Sequence, residues 1–503
     1  MSDYNFLMET RLSPAQFQVL NKLSRVAHDK ELNLYLVGGA VRDMTFGQAT
    51  IHNLDFAVEG DLQKLFHPLH IDDSRRKKPG KAAQGADQGA IEVLRASVDK
   101  RLWAAKLWFG NGVRAEIAQC RTETFSAPGH PVATPSMIFD DLKRRDFAFN
   151  AMAISLHPNS RGLLLDPKNG VGDIERAEIR VLHPRSFSED PVRIYRLFRL
   201  GLRLGFKPEE KTARWLAAAI EERAWAGLSP DNQARELEAV LREDSPDRVL
   251  KLYAERGILN GLERHLGKIP YEQFRKVRTV SHKVPGADPY LLNFHCLVSK
   301  MGSVQTKSLA HKILVDSQSI KLVLNLEREA KKVARLLASA KCALPSQAYK
   351  LLSTQPEPLL LFLLAYYPQA KVQTRVKNFL VKAPQVRARL PRQDLLAIGM
   401  KPGPNFDKIL ERVFFDQLDG KIKTHQQLEK ELRSLSGIKA PPPPPPAAKP
   451  PKAGPLKRKG TPVKATPPAL TPPPAAIPSK AGPPKRKAPA AQAAPPAPKG
   501  KRK

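Results

Sequence analysis

The spacing of apolar residues divides the first part of the chain into helices and strands. From about Leu12 to Asp29 these residues recur at helical intervals, and Leu34–Val37 then predicts a short strand that ends in Gly38-Gly39. Further short apolar segments predict strands or close the region, at Leu54–Val58, Ala104–Phe109, Val113–Ala118 and Phe147–Leu156. Residues 1–160 are therefore predicted to fold as a mixed domain of helices and a β-sheet.

After Ser188 the pattern is helical almost throughout. Long amphipathic runs, with apolar residues every three or four positions, occur at Pro191–Leu204, Thr212–Arg223, Asn232–Leu241 and Pro246–Arg256. Helical segments continue to about Lys439, and no strong strand pattern interrupts them. The sequence thus predicts an α+β domain followed by helical domains.

Two segments lack a folding pattern. Asp72–Gly89 is polar and contains the basic run Arg75–Lys81, which predicts an exposed insertion. Residues 441–503 hold 22 of the 46 prolines, fourteen Lys or Arg and no acid, so they cannot bury enough apolar surface to offset the entropy of ordering. This tail is predicted to be disordered, and it either captures RNA electrostatically or is a solvated extension.

The net charge narrows the choice of partner. The 503 residues include 83 Lys or Arg against 49 Asp or Glu, a formal charge of +34, which favours nucleic acid through phosphate neutralisation. A basic surface kept for solubility, or binding to an anionic membrane surface, would also fit this charge. The three cysteines show no metal-ligand spacing, and no apolar run reaches the length of a membrane span. These features predict a cytoplasmic protein without a structural zinc site.

Two short motifs in the first domain suggest phosphate and metal chemistry. Glycines at 38 and 39, between a strand and a helix, let backbone N–H groups approach a triphosphate, with Arg42 on the first helical turn. Positions 53 and 55 share one face of the next strand, about 7 Å apart, where two carboxylates could hold divalent ions. Here the pair is Asn53 and Asp55. Taken alone, each motif is equally compatible with a tight turn or a solvated strand end.

Two basic motifs follow. The segment from 141 to 153 offers Arg145 to phosphates, with Asp146 and Asn150 to orient it or to bind sugar hydroxyls. The segment from 189 to 199 predicts a helix with one basic face, formed by Arg193, Arg196 and Arg199 and preceded by Asp190. An acid and an arginine side by side can pair with a base edge. A charged helix end and an amphipathic surface helix are the alternatives.

Together, these four motifs in this order resemble the class II tRNA nucleotidyltransferase and bacterial poly(A) polymerase family. The resemblance extends over about residues 34–260 and includes Leu165–Gly170 and Ile179–Val181. It implies a five-stranded, polymerase beta-like nucleotidyltransferase head followed by helical neck, body and tail domains. The domains are then a head over 1–160 with a basic insertion near 72–89, a neck and RNA-binding body over 161–265, further helices over 266–440, and the tail.

The resemblance also implies roles for individual residues. Gly38, Gly39 and Arg42 would contact the triphosphate, residues 53 and 55 would hold Mg²⁺ or Mn²⁺, and Arg145 would help bind the nucleotide. The incoming base would be read by Asp190 and Arg193, supported by Arg196 and Arg199. The implied reaction is attack of the 3′-hydroxyl of tRNA or another RNA on the α-phosphate of ATP or CTP, with release of pyrophosphate.

Asn53 departs from the family, which has aspartate there. An amide oxygen ligates a hard cation without contributing negative charge, so the substitution bears directly on turnover. Glu116, in the predicted strand Val113–Ala118, could supply another carboxylate or could be an ordinary exposed strand residue. Two hypotheses follow: an RNA nucleotidyltransferase that adds C, A or both to RNA 3′ ends, and a catalytically impaired or inactive RNA-binding paralogue.

Overall fold

A mixed β-sheet organises the N-terminal part of the protein. The computed structural model describes residues 3–48, 51, 53–71, 91–314 and 316–437. Its strands are β1 Asn33–Val37, β2 Leu54–Glu59, β3 Val93–Asp99, β4 Ala104–Phe109, β5 Arg114–Gln119, β6 Arg121–Ala127, β7 His130–Pro135, β8 Ala153–Ser155, β9 Leu164–Leu165, β10 Glu178–Ile179 and β11 Lys207–Pro208.

Within these described residues the main sheet has seven strands, in the spatial order β3-β4-β5-β2-β1-β8-β9. The pairing of β2 with β5 is parallel, and the other neighbours are antiparallel. The expectation of a five-stranded head is therefore wrong. The strand β8 falls within the predicted segment Phe147–Leu156, whereas the edge strands β3 and β9 were not predicted and enlarge the sheet to seven; β6 and β7 form a separate hairpin.

Two helices at the N-terminus, α1 Tyr4–Arg11 and α2 Pro14–Asp29, precede the first strand. The second begins at a capping box, in which the Ser13 side chain accepts from the backbone of Gln16 and the Gln16 side chain accepts from the backbone of Ser13. Its buried leucines join the apolar sheet residues of one face in a common core. On the opposite face a smaller apolar cluster, which includes Val37, Ala57 and Leu142, covers part of the sheet, and Asp55 lies on this same face beside it.

Most of the remaining helices lie after Ser188 and confirm the predicted helical character of that part of the chain. In chain order they are α3 Gly39–Phe46, α4 Ile138–Lys143, α5 Gly170–Glu175, α6 Ser186–Glu189, α7 Val192–Leu204, α8 Glu210–Glu221, α9 Pro230–Leu241, α10 Pro246–Glu255, α11 Tyr271–Ser281, α12 Tyr290–Val298, α13 Ser303–Ile313, α14 Ser317–Ala338, α15 Pro345–Leu352, α16 Glu357–Tyr366, α17 Ala370–Lys377, α18 Ala383–Ala388, α19 Arg392–Ala397, α20 Pro404–Leu418 and α21 His425–Ser436.

One hydrophobic core runs from α1 through the sheet and the helices to α17, and a separate small core holds α19 to α21 together. Met1–Lys439 forms one compact unit, so the division into a head, 161–265 and 266–440 stays a prediction. The insertion at 72–89 and the tail at 441–503 lie outside the described residues. Among the helices that are described, none is both long and apolar enough to cross a membrane.

Candidate active site

A cavity of about 660 Å³ opens on the polar face of the sheet, bounded by the β6–β7 hairpin and by residues at the starts of α7 and α9. This volume lies in the range of small-molecule sites. Its lining brings together eight of the residues singled out by the sequence: Gly38, Gly39, Asp55, Glu116, Arg145, Asp190, Arg193 and Arg196.

The glycine turn lies at the wall of this cavity, and its backbone adopts a positive φ angle that favours glycine. Gly38 has φ +68°, and a Cβ there would lie 3.3 Å from Nη1 of Arg145 and 3.7 Å from Oδ2 of Asp55. The positive φ favours glycine, and the approach of the Arg145 guanidinium leaves little room for a side chain. Gly39 begins α3, so the N-terminal amide groups of a helix, which favour anions, lie at the cavity wall.

Two carboxylates meet across the parallel strands β2 and β5. Asp55 and Glu116 are direct partners in the register, and both line the cavity. Burial, and then the negative charge of Glu116, raise the pKa of Asp55 from 3.8 to about 6, although Arg145, Arg42 and Lys106 act in the opposite direction. The carboxylates therefore repel each other in a partly enclosed site.

A divalent cation would relieve this repulsion. Mg²⁺ is commonly held by one or two carboxylates, with substrate phosphates and water as its other ligands. In the described part of the chain, no group of three or more His, Cys, Asp or Glu residues could hold a metal ion by itself. The oxygen donors of Asp55 and Glu116 fit a metal ion that arrives with a nucleotide.

Asn53 lies directly before β2 and is exposed. Among the described residues that line the cavity, Asp55 and Glu116 are present and Asn53 is absent. The sequence placed positions 53 and 55 on one face of a strand, whereas the strand itself begins at Leu54.

Arg145 is held in place by a buried acid. Its Nη2 lies 2.8 Å from Oδ2 of Asp141, while Nη2 of Arg144 lies 2.7 Å from the other oxygen of the same carboxylate. Burial alone would raise the pKa of Asp141, but the two guanidinium groups outweigh it and lower that pKa. Asp141 stays ionised and fixes Arg145 beside Asp55, where its charge can meet a phosphate.

The guanidinium of Arg42 is buried and contacts other protein side chains. The Nη1 atom of Arg42 donates to Oδ1 of Asn150 at 2.7 Å, and the guanidinium lies over Phe149. Asn150 in turn donates to Asp146, which pairs with Arg196. Arg42 is not among the described residues that line the cavity, but its Nη2 lies 3.5 Å from where a Cβ of Gly39 would be, so its contact with the triphosphate stays a prediction.

The arginines of α7 have different surroundings: Arg193 and Arg196 line the cavity, whereas Arg199 pairs with two glutamates. Arg193 is buried and donates to Oγ of Ser186 at 2.7 Å and to the carbonyl oxygen of Arg144 at 2.8 Å. Arg199 pairs with Glu236 at 2.8 Å and Glu243 at 2.9 Å. Helical spacing predicts the direction in which each side chain leaves α7. It does not predict that Glu236 on α9 and Glu243 after α9 neutralise Arg199.

Asp190 lies at the entrance to α7 and lines the cavity. Burial raises its pKa, and the charges of Arg196 and Arg193 oppose this rise. The Nε atom of Arg193 lies 3.7 Å from Oδ2 of Asp190. An acceptor and donors thus lie side by side in the cavity, which is the arrangement needed to recognise a base edge.

Several lining residues escaped the sequence reasoning. The β6–β7 hairpin contributes residues from Phe125 to Val132, and the first turns of α9 contribute Ser229–Asn232 and Arg235. The Pro128-Gly129 dipeptide between two strand-like runs is a turn signal that could have revealed the hairpin. No local signal indicates that α9 packs opposite the sheet, because that contact is set by the tertiary fold.

Comparison with known proteins agrees with this geometry. Residues 34–180 match the family model described as the poly(A) polymerase head domain. The A-adding tRNA nucleotidyltransferase of Halalkalibacterium halodurans is 29% identical over 452 residues, covering 86% of this chain and 96% of that protein. The CC-adding tRNA nucleotidyltransferase of Deinococcus radiodurans is 34% identical over 256 residues, covering 50% of this chain and 62% of that protein.

A solved structure of a CCA-adding enzyme in an apo form is 24% identical, covers 86% of this chain and 99% of its own, and has a TM-score of 0.47. The matched family model includes the glycine turn, both strands of the carboxylate pair and Arg145. The N-terminal part of the chain therefore matches the poly(A) polymerase head domain, and the chain is similar over most of its length to a tRNA nucleotidyltransferase.

Proposed function

We propose that this protein is an RNA nucleotidyltransferase that adds AMP, CMP or both to the 3′ end of tRNA and requires Mg²⁺ or Mn²⁺. One observation carries the proposal: the Asp55–Glu116 pair, the Gly38-Gly39 turn and Arg145 line a single cavity of nucleotide size. A relative that matches 86% of the chain is named an A-adding tRNA nucleotidyltransferase, and one that matches 50% of it is named a CC-adding tRNA nucleotidyltransferase, which supports tRNA as the acceptor.

The proposed reaction joins the 3′-oxygen of the RNA to the α-phosphorus of the nucleotide and breaks the bond between the α- and β-phosphates. Asp55 and Glu116 would hold the divalent ion, which supplies positive charge to the reacting phosphates. Arg145, fixed by Asp141, and the amide groups at Gly38 and Gly39 would bind the triphosphate. Pyrophosphate is the leaving group.

Nucleotide choice is assigned to the wall formed by α7. Asp190 would accept a hydrogen bond from an exocyclic amino group, which both adenine and cytosine carry. Arg193, anchored by Ser186 and by the carbonyl group of Arg144, would donate to the ring of the same base. Because Asp190 and Arg193 are side chains of the protein, the base would be selected without a nucleic-acid template.

The alternative, an inactive RNA-binding paralogue, rests on Asn53. This hypothesis holds only if a metal ligand is needed at position 53 in this chain. Glu116 is the register partner of Asp55, so a second carboxylate is present beside Asp55 even though Asn53 carries none. This favours the enzyme over the paralogue.

The test is incorporation of labelled ATP and CTP into tRNA that lacks its 3′-terminal nucleotides. We expect the native chain to incorporate label with Mg²⁺ or Mn²⁺, to lose activity in EDTA, and to lose it on Asp55→Asn. Asn53→Asp serves as the comparison. No incorporation by the native chain with any divalent ion, together with activity in Asn53→Asp, would establish the inactive paralogue instead.

A further inference from the structure

The polar face of the sheet continues beyond Glu116 onto strands that the helices leave uncovered. On β5 and β4 the residues alternate between buried and accessible, with Ala115, Ile117 and Leu107 buried on one face. Arg114 and Lys106 on the other face are exposed, and Trp108 is partly exposed. Within the described part of the chain no element covers this face, and such alternation marks a sheet face that meets solvent.

The strand register places these residues in two rows. Asp55, Glu116 and Lys106 are successive direct partners across β2, β5 and β4. In the neighbouring row, Arg114 is the partner of Trp108, and Trp108 is the partner of Arg95 on β3. Rows two residues apart along a strand are separated by about 7 Å. The second row therefore lies immediately beside the carboxylate pair.

Charge and stacking on this surface are those of a single-stranded nucleic-acid site. The guanidinium carbon of Arg95 lies 4.8 Å from the centroid of the Trp108 ring, and Nζ of Lys106 lies 3.9 Å from Oε2 of Glu116. Sites for unpaired strands combine cations that follow the backbone with aromatic or guanidinium planes on which bases stack. We call Arg95, Lys106, Trp108 and Arg114 the Arg–Trp face.

The nearby acids limit the extent of this surface. Glu116 borders it on the side of the cavity. At the other end, burial alone would raise the pKa of Asp316, but hydrogen bonding to Ser319 and the charge of Arg95 lower it, so Arg95 is within electrostatic range of the start of α14. Three cations thus lie between two acids, and their excess charge favours a polyanion.

We propose that the Arg–Trp face binds the unpaired 3′-terminal nucleotides of the RNA acceptor and directs the last of them to Asp55 and Glu116. The proposal rests on the proposed function, because it explains how an acceptor hydroxyl reaches the metal pair. A base stacks on Trp108 or on the guanidinium of Arg95, and Arg95 and Arg114 neutralise the adjoining phosphates. The occupant is RNA, and a protein partner on this face is an outcome that the test can expose.

The test measures equilibrium binding of two labelled RNA hairpins without nucleotide: one with four unpaired 3′ nucleotides and one that is blunt-ended. Trp108→Ala should weaken binding of the tailed hairpin roughly tenfold, with Trp108→Phe retaining most of the affinity, because stacking on an aromatic ring is lost in one and kept in the other. Neither change should affect the blunt hairpin.

Arg95→Ala with Arg114→Ala should lower the salt dependence of tailed-hairpin binding by about 1.4 in log–log slope, since each phosphate contact on a single strand contributes about 0.7. Arg95→Lys with Arg114→Lys should keep that slope. The matched control, Arg328→Ala with Lys332→Ala, removes two exposed charges from α14, outside the predicted RNA-binding body, and should change neither hairpin.

Unchanged affinity for the tailed hairpin in Trp108→Ala, or equal losses for both hairpins, would overturn the proposal. If the variants alter self-association or protein binding but not RNA affinity, the Arg–Trp face serves a protein partner instead and the proposal is likewise overturned. Because no nucleotide is present, these results are independent of whether the native chain incorporates ATP or CTP. Failure of the proposed function would instead appear as loss of incorporation with RNA binding intact.

Discussion

Replacing Asp55 with asparagine should abolish nucleotide addition and at the same time stabilise the folded protein at neutral pH. Burial and the charge of Glu116 raise the pKa of Asp55 from 3.8 to about 6. The folded state therefore binds this proton more tightly than the unfolded state does, and ionisation of Asp55 costs stability as the pH rises from about 4 through 6. Asparagine removes that cost.

The size of the effect follows from the pKa shift. The complete rise corresponds to about 3 kcal/mol at a pH well above 6. Since solvent reaches the cavity, we expect a gain of about 1–2 kcal/mol at pH 7.5 for Asp55→Asn, narrowing to roughly a third of that at pH 4.5. The gain should be largest in EDTA, because a metal ion that binds the native carboxylates stabilises the native chain by mass action.

Urea and thermal unfolding of the full chain at the two pH values measure this gain. The matched control is Asp146→Asn, which makes the same chemical change in the same cavity. Burial would raise the pKa of Asp146, but Arg196 and a hydrogen bond from Asn150 lower it, so its charge stabilises the fold above pH 4. Asp146→Asn should therefore destabilise the protein at pH 7.5.

We expect the free energy of unfolding at pH 7.5 to rise in Asp55→Asn and to fall in Asp146→Asn. If Asp55→Asn were less stable than the native chain at pH 7.5, or if its effect did not depend on pH, the carboxylate repulsion between Asp55 and Glu116 would be refuted. Added Mg²⁺ gives a second readout: it should raise the unfolding midpoint of the native chain more than that of Asp55→Asn.

Three further outcomes are expected. Arg199→Ala should destabilise the fold by about 3–5 kcal/mol in urea unfolding, because it removes the guanidinium that pairs with buried Glu236 and leaves Glu243 with Arg203; activity lost with unchanged stability would place Arg199 in the nucleotide site instead. Arg145→Lys should raise KM for ATP by roughly tenfold with little change in stability, since a lysine loses the bidentate grip of Asp141, and an unchanged KM would exclude Arg145 from triphosphate binding. Removal of residues 441–503 should lower RNA affinity and the steepness of its salt dependence, and unchanged binding would show that the tail is a solvated extension.

The local sequence predicted those features that depend on near neighbours along the chain. The glycine turn at 38, the strand carrying Asp55 and the helix from 192 to 204 follow from backbone requirements and apolar periodicity, and their observed bounds differ from the expected ones by one or two residues. Such features need no knowledge of distant contacts, because turn chemistry and amphipathicity are written in consecutive residues.

Features set by tertiary contacts were not predictable in this way. Glu116 becomes the partner of Asp55 only because β2 pairs with β5 in parallel, a pairing that skips β3 and β4 in sequence. The side chain of Arg199 points inward because its guanidinium pairs with Glu236 and Glu243. The side chain of Arg42 is buried because its guanidinium donates to Asn150 and lies over Phe149. Periodicity shows which face a side chain occupies but not what covers that face.

The central claim is that Asp55 and Glu116 form the metal-binding pair in place of positions 53 and 55, and the rate of AMP incorporation by Glu116→Gln tests it most directly. At saturating ATP and Mg²⁺, we expect Glu116→Gln to be slower than the native chain by roughly a hundredfold, equivalent to about 3 kcal/mol of lost transition-state stabilisation. Asn53→Asp should change the rate by less than about tenfold. A native rate in Glu116→Gln, with a large increase in Asn53→Asp, would contradict the claim and return the second metal ligand to position 53.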